Sequence, residues 1–238
     1  MKALVFDLDG TLVDTKYDML EAGNLVFQSQ GWATRLEGFS GLRTAIQGGR
    51  AILRYGLKEE GISFNDKLLK DYYQLYLNNY DTVLDNKSVN YDGVVATLKK
   101  LQIMGVKLGL CTNKPEKHAR ELLKRLGLIN FFKSSFIGSD TVGVAKPNPK
   151  PLLEAIYRLN KRPEEVFFVG DTNTDAEAAK NANVDFIFCE YGHGSFYKLA
   201  KGESAIIKIK SFKDLINIYR SEEHTSELQS HSDLVCRL

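Results

Sequence analysis

ALVFDLDGT, residues 3–11, opens the chain with an apolar run that stops on two aspartates and a glycine. The stretch ALVFDL (3–8) reads as a buried strand, and Asp9-Gly10 as the loop that ends it. A strand apolar on both faces needs cover on both faces, as in parallel sheets packed between helices. From Tyr91 onward the chain repeats this arrangement. Lys107–Cys111, Ser135–Ile137, Val166–Val169, Phe186–Cys189 and Ala205–Ile207 are short apolar runs. Helical spacing falls between them at Gly93–Met104, Glu116–Leu126, Pro149–Asn160 and Asn173–Asn181, and Phe212–Ile218 closes the domain. Pro115 stands near the first turn of its helix and Gly127 just past the end. Strands alternating with helices predict an α/β fold with a parallel sheet. In such sheets a ligand site forms beyond the carboxyl ends of the strands.

Residues 14–88 differ. They carry helical spacing, many tyrosines and few β-branched runs, so they are expected to form a helical insert. Within it Asp66 is expected to cap a helix over Lys67–Leu77, where Leu68, Leu69, Tyr72, Tyr73 and Tyr76 recur on one face. The predicted division is a core of 1–14 and 89–219 and a helical cap of 15–88. The last nineteen residues, 220–238, share no periodicity with the rest. RSEEHTSELQS is what a common sequencing-library adapter gives when translated, so this tail is expected to be non-native and is set aside. Without its two arginines and four acids the formal charge moves from +2 to +4. Cys236, His224 and His231 then lose any functional claim.

Neither charge suggests nucleic acid or a membrane as the main partner. No signal peptide or membrane-length apolar run is visible. Three cysteines without paired spacing argue against a structural zinc site. Cys111 and Cys189 lie in apolar runs and read as buried thiols of a reducing compartment, which predicts a cytoplasmic protein.

The polar residues at strand ends carry the chemistry. Asp7 and Asp9 offer one carboxylate for attack or metal binding and another for proton transfer, although Asp-Gly is also an ordinary turn dipeptide. Thr112 and Asn113 offer a hydroxyl, an amide and loop N–H groups to phosphate oxygens, or an N-cap to the next helix. Lys146, in AKPNPKP (145–151), sits on a stiff, extended segment and supplies a fixed positive charge, with Lys150 as a competitor. Asp171 and Asp175, in GDTNTD (170–175), place one carboxylate at a strand tip for a hard cation and another about one helical turn on. There Asp175 can orient Lys146, or simply favour a helix N-terminus.

Four such fragments in this order resemble the haloacid dehalogenase-like superfamily, over about residues 3–219. DLDGTL matches its first motif, TN its second, the lysine of AKPNPKP its third and GDTNTD its fourth. The resemblance implies a Rossmann-like parallel sheet core with an inserted helical cap domain. It implies Asp7 as nucleophile, forming an aspartyl-phosphate, and Asp9 as the acid that protonates the leaving oxygen and then activates water. Mg²⁺ would be held by Asp7, the Asp9 backbone carbonyl and Asp171. Thr112, Asn113 and Lys146 would bind phosphate, with Asp175 and Thr11 in support. The branch it is most similar to is the phosphoglycolate phosphatase-like group. There the cap segment SGLRTAIQGGRAIL (40–53) would hold specificity residues, with Gly48-Gly49 allowing close approach and Arg43 or Arg50 pairing with a substrate carboxylate. The implied partner is a small-molecule phosphate ester, and the implied assembly a monomer or homodimer. Sugar phosphomutases share the four motifs but typically carry a histidine in the first cap helix, and KYDMLEAGNLVF (16–27) has none. A pyrophosphatase, a nucleotidase or a non-catalytic phosphate-binding module are the other readings.

Overall fold

The computed structural model describes residues 2–193 and 207–219. The expectations placed on Ala205 and on the tail 220–238 lie outside the described residues. The chain begins with β1 (Ala3–Phe6) and β2 (Val13–Asp14), followed by helices α1 (Lys16–Ser29), α2 (Gly38–Ala45), α3 (Gly49–Glu59) and α4 (Asp66–Val83). It returns through β3 (Val89–Asn90), α5 (Val94–Ile103), β4 (Leu108–Cys111), α6 (Glu116–Arg125) and β5 (Phe136–Ile137). It finishes with α7 (Lys150–Arg158), β6 (Val166–Gly170), α8 (Asn173–Ala182), β7 (Asp185–Cys189) and β8 (Ile207–Ile209).

Six strands form one sheet in the order β5-β4-β1-β6-β7-β8, and every pairing in it is parallel. β1 lies between β4 and β6, with Leu4 opposite Leu108 on one side and Phe167 on the other. The chain runs outward from β1 through β4 to β5 and then returns past β1 to β6 on its other side, and a crevice opens at the carboxyl end of such a switch point. Alternate side chains feed two separate apolar layers, as the pleat requires. Leu4, Phe6, Leu110 and Val169 join Val94, Leu98, Phe132 and Phe212 on one face. Ala3, Val5, Phe168 and Phe186 join Leu152, Ala155, Ala178 and Ala179 on the other.

β2 and β3 pair antiparallel, Val13 opposite Asn90, and α1–α4 lie between them in sequence. Both passages of the chain between sheet and helices therefore run side by side. Asp18 ties them together, because its carboxylate accepts from the backbone N–H groups of Lys87 and Ser88 and from the Ser88 hydroxyl at 2.6–3.0 Å.

α4 departs from expectation at both ends. Its cap is Asn65, whose extended backbone lets the side chain accept from the N–H of Leu68 at 2.9 Å. Asp66 falls instead in the first turn, where a negative charge favours the helix dipole. The helix runs on to Val83 because Leu69, Tyr76, Tyr80 and Val83 continue one buried stripe. Trp32 stacks on Phe27, with ring centroids 5.5 Å apart, and packs near Tyr72. It is an internal packing residue of the helical segment.

Candidate active site

Asp7, Thr112 and Asp171 are each the first residue past the end of a central strand, β1, β4 and β6 respectively. Parallel pairing in register puts all three on one edge of the sheet. The backbone continues the pairing briefly beyond the strands, with Asp7 N–H donating to Val169 O and Thr112 N–H to Ile137 O, both at 2.9 Å. Lys146 arrives from the connection after β5, and Asp175 from the first turn of α8.

The Lys146 ammonium is the hub. It donates to Asp7 Oδ1 at 2.7 Å, Asp175 Oδ1 at 2.6 Å and the Cys111 carbonyl at 2.9 Å. Burial works against its charge, but the two carboxylates outweigh it and push its pKa well up. Asn113 fixes the segment that carries it: its side-chain amide donates to Lys146 O and accepts from Lys146 N–H. Asn113 and Thr112 both line the cavity, Asn113 while also holding the Lys146 backbone. Asp175 is likewise occupied. Its Oδ2 accepts from the hydroxyl and N–H of Thr172 in a capping box at the start of α8. Asp175 therefore both begins a helix and orients Lys146, so the two roles open to it in the sequence coexist.

Carboxylate oxygens of Asp7, Asp171 and Asp175 lie within 4.8 Å of one another, all buried. Asp171 also accepts from the Thr11 hydroxyl at 3.0 Å. Lys146 pairs with two of these carboxylates, Asp7 and Asp175. Burial, ahead of the opposing pull of Lys146, raises the Asp7 pKa to about 7. A buried, all-oxygen donor set of this charge suits a hard divalent cation. Gly10 leaves room beside it. Its φ is +86°, and a Cβ there would meet Asp171 Oδ2, with Asp171 Cγ at 2.7 Å and His193 Cγ at 2.8 Å.

Asp9 stands apart from this cluster. Its Oδ1 accepts from Lys114 Nζ and from the Thr15 hydroxyl, each at 2.7 Å. Burial opposes its ionisation, but Lys114 and Thr15 hold its carboxyl below the usual range. Lys114 was not anticipated from the sequence, although it directly follows Thr112-Asn113. Its ammonium is buried under the ring of Tyr80, 4.6 Å from the centroid.

Asp7, Asp9, Thr112, Asn113, Lys114, Lys146 and Asp175 floor a cavity of about 410 Å³, and Asp171 is not among its lining residues. Its other wall comes from the helical segment. Tyr73, Tyr76 and Tyr80 of α4 stack in succession at 5.9 and 6.0 Å, with Met19, Ile46, Gly48 and Gly49 beside them. Gly48 and Gly49 line the cavity, Gly48 turning the chain at φ +94° and Gly49 packing where a Cβ would run into the Tyr76 ring. Arg43 and Arg50 do not line the cavity. Arg43 lies exposed on α2 with its guanidinium 6.0 Å from the Phe39 ring centroid. Arg50 is also exposed, stacked 4.5 Å over Tyr73 on α3. Although neither arginine is in the cavity lining, Arg50 covers the ring of Tyr73, which is.

Fold and site together define a class. Residues 1–183 match the model of the haloacid dehalogenase-like hydrolases, and the chain belongs to that family. A phosphoglycolate phosphatase of Colwellia psychrerythraea is 34% identical over 195 residues, spanning 81% of this chain and 85% of its own length. A crystal structure of a predicted phosphoglycolate phosphatase from Haemophilus somnus superposes with a TM-score of 0.77 at 24% identity, covering 92% of this chain and 98% of that one. CbbY from Rhodobacter sphaeroides, solved in complex with phosphate, gives 0.76 at 20% identity over 90% and 96% of the two chains. At these identities the two structures bear on the fold alone.

Proposed function

We propose that this chain is a Mg²⁺-dependent phosphatase that hydrolyses a small organic phosphate monoester, of the phosphoglycolate kind, through an aspartyl-phosphate on Asp7. The observation that carries the reading is the Lys146 ammonium bound to both Asp7 and Asp175 with the Asp171 carboxylate beside them. Phosphoglycolate phosphatase relatives at about a third identity support the reaction class and the size of the substrate.

An Asp7 carboxylate oxygen attacks phosphorus while the bond from phosphorus to the ester oxygen breaks. Asp9 gives a proton to that oxygen, which requires substrate binding to populate the acid form that Lys114 and Thr15 disfavour in the free protein. In the second half Asp9 takes a proton from water as the water attacks phosphorus, and the bond to Asp7 breaks to release phosphate. Lys146 holds Asp7 in line and offers positive charge to the transferring oxygens, and Thr112 donates its hydroxyl to them. Asp175 fixes Lys146, and Thr11 fixes Asp171. Asp7, Asp171 and the Asp9 backbone carbonyl would hold Mg²⁺, which offsets the repulsion between carboxylate and phosphate dianion when bound. The residues 15–88 act in this reading as a cap over the core formed by 1–14 and 89–219, excluding water from the cavity.

A cytoplasmic location fits. Cys111 and Cys189 are buried free thiols, and no helix among the described residues is long and apolar enough to cross a membrane.

The test is phosphate release from 2-phosphoglycolate, sugar phosphates, nucleotides and pyrophosphate, with Mg²⁺ and with EDTA. Turnover is expected on a small ester, lost in EDTA and lost in Asp7→Asn. Mg²⁺-independent release, or an active Asp7→Asn, refutes the mechanism. Isomerisation of a hexose 1-phosphate without net release would make the enzyme a mutase.

A further inference from the structure

Among the described residues, Tyr80 is the member of the α4 row whose ring meets a charged group of the core. The ring is buried, 4.6 Å from the Lys114 ammonium and 6.2 Å from the His118 ring of α6. On its other side it stacks on Tyr76 at 6.0 Å, with the two planes only 6° apart. The helical segment therefore sets the direction of this ring. The Tyr80 hydroxyl is buried without a hydrogen-bond partner among the described residues, so the ring and not the hydroxyl joins Tyr80 to the site. Lys114 is held less completely than Lys146. Its backbone is fixed, since its N–H donates to the Thr112 hydroxyl at 3.1 Å and its carbonyl accepts from Ser139 N–H at 3.0 Å. Its long side chain is free to turn, and among the described residues its ammonium donates to Asp9 alone, where Lys146 has three acceptors. A buried ammonium with one acceptor is costly, and the negative face of an aromatic ring supplies the missing attraction.

We propose that Tyr80 is a positioning residue for proton transfer: its ring holds the Lys114 ammonium on Asp9, so the helical segment helps to aim the group that moves the proton. This rests on the phosphatase reading above and deepens it, by adding a residue that lies outside the four motifs. The chain of contacts is short. Tyr80 covers Lys114, and Lys114 donates to Asp9 Oδ1 at 2.7 Å. Without the ring the ammonium keeps one hydrogen bond on a rotatable stem, and the Thr15 hydroxyl becomes the steadier of the two partners of Asp9. Both proton transfers need Asp9 within one hydrogen bond of the reacting oxygen, and a displacement of about 1 Å in such a group costs on the order of 10²-fold in rate. Phenylalanine at position 80 presents the same face to Lys114. Leucine fills part of the space and presents none.

The experiment is a double-mutant cycle read in kcat, with Mg²⁺ and saturating ester, joined to a chemical probe of Lys114. Tyr80→Leu is expected to lower kcat roughly tenfold or more in otherwise wild-type enzyme and by less than about twofold in the Asp9→Asn background, because a residue that acts through Asp9 has nothing left to aim there. Tyr80→Phe is expected to recover most of the loss. Equal losses in the two backgrounds would mean that Tyr80 merely shapes the cavity and would overturn the proposal. So would a Tyr80→Phe variant as slow as Tyr80→Leu. The probe is acetic anhydride, with acetylation of each lysine followed by mass spectrometry. In Tyr80→Leu the rate at Lys114 is expected to rise several-fold relative to Lys146, and in Tyr80→Phe to stay near the wild-type ratio. An unchanged Lys114 to Lys146 ratio in Tyr80→Leu would overturn the proposal without reference to turnover. If Tyr80→Leu does not fold, Lys114→Met tests the other end of the same contact, and losses from it that are equal with and without Asp9 refute the path. If no ester turns over with Mg²⁺, the phosphatase reading falls, while the acetylation ratio still decides whether Tyr80 holds the ammonium.

Discussion

Removing the charge of Asp7 is expected to stabilise the metal-free protein above neutral pH while destroying its activity. Burial, ahead of the attraction of Lys146, raises the Asp7 pKa from 3.8 to about 7. An acid raised in this way binds more protons folded than unfolded, so the folded state loses stability as pH climbs between the two values. Carried from pH 5 to pH 7.5, the loss attributable to Asp7 is about 2–3 kcal/mol. In a chain of this length that is a fall in melting temperature of roughly 5–10 °C. Asn at position 7 does not titrate and accepts the same hydrogen bond from Lys146, so the variant lacks this component of the pH profile. The assay is thermal unfolding of wild type and Asp7→Asn in EDTA across pH 5–7.5, repeated with Mg²⁺. In EDTA the two curves are expected to diverge with rising pH, the variant being the more stable. Mg²⁺ is expected to lift wild type at pH 7.5 far more than the variant, because the ion binds the ionised cluster and not the neutral amide. Parallel profiles in EDTA, or a more stable wild type at pH 7.5, would refute the picture of a buried carboxylate whose desolvation Lys146 only partly offsets.

Lys146→Met leaves two buried carboxylates, Asp7 and Asp175, without their shared partner. Unfolding in urea is expected to show a loss of about 3–5 kcal/mol, and an unchanged midpoint would contradict the hub. Gly10→Ala places a methyl against Asp171 at φ +86°, adding about 1–2 kcal/mol of backbone strain to the clash. Its stabilisation by Mg²⁺, read from melts, is expected to fall sharply, and a normal Mg²⁺ response would show that Asp171 is not near an ion. Asp9→Asn keeps a hydrogen bond from Lys114 or Thr15 but cannot transfer a proton. Turnover of alkyl phosphates is expected to drop roughly 10²–10⁴-fold with Mg²⁺ stabilisation retained, and undiminished kcat would remove Asp9 from the proton path.

The sheet and its acidic edge were legible for one reason. ALVFDL and VFFVG are too apolar to be anything but covered strands, so the polar residues that end them must face the open edge. Alternation with helices then fixes the parallel sense that brings 7, 112 and 171 together. The cavity wall was only partly legible. Tyr73, Tyr76 and Tyr80 follow helical spacing, but spacing alone does not separate a stripe that packs inward from one that faces a cavity. Residue type alone did not place Arg43 and Arg50, which stand exposed outside the cavity lining, because a cationic side chain says nothing of the rotation of its helix against a neighbour. Lys114 was hidden by distance along the chain. A lysine in a loop reads as solvated, and its burial depends on Tyr80, which reaches it from α4. The cap of α4 moved by one residue because Asn65 and Asp66 are both good capping types, and the extended backbone at Asn65 settled the choice.

The row of tyrosines on α4 faces the cavity from the opposite side to every carboxylate that would touch phosphorus or an ion. Tyr80 is tied to that machinery through Lys114 and Asp9, whereas Tyr73 lines the cavity without a contact to either, so reshaping at Tyr73 alters which leaving group is admitted with least disturbance of the reacting groups. A larger pocket is thus reachable by trimming aromatic rings one at a time, starting with Tyr73, and selectivity in this enzyme can evolve or be redesigned along one helix while the rate-giving chemistry stays inherited.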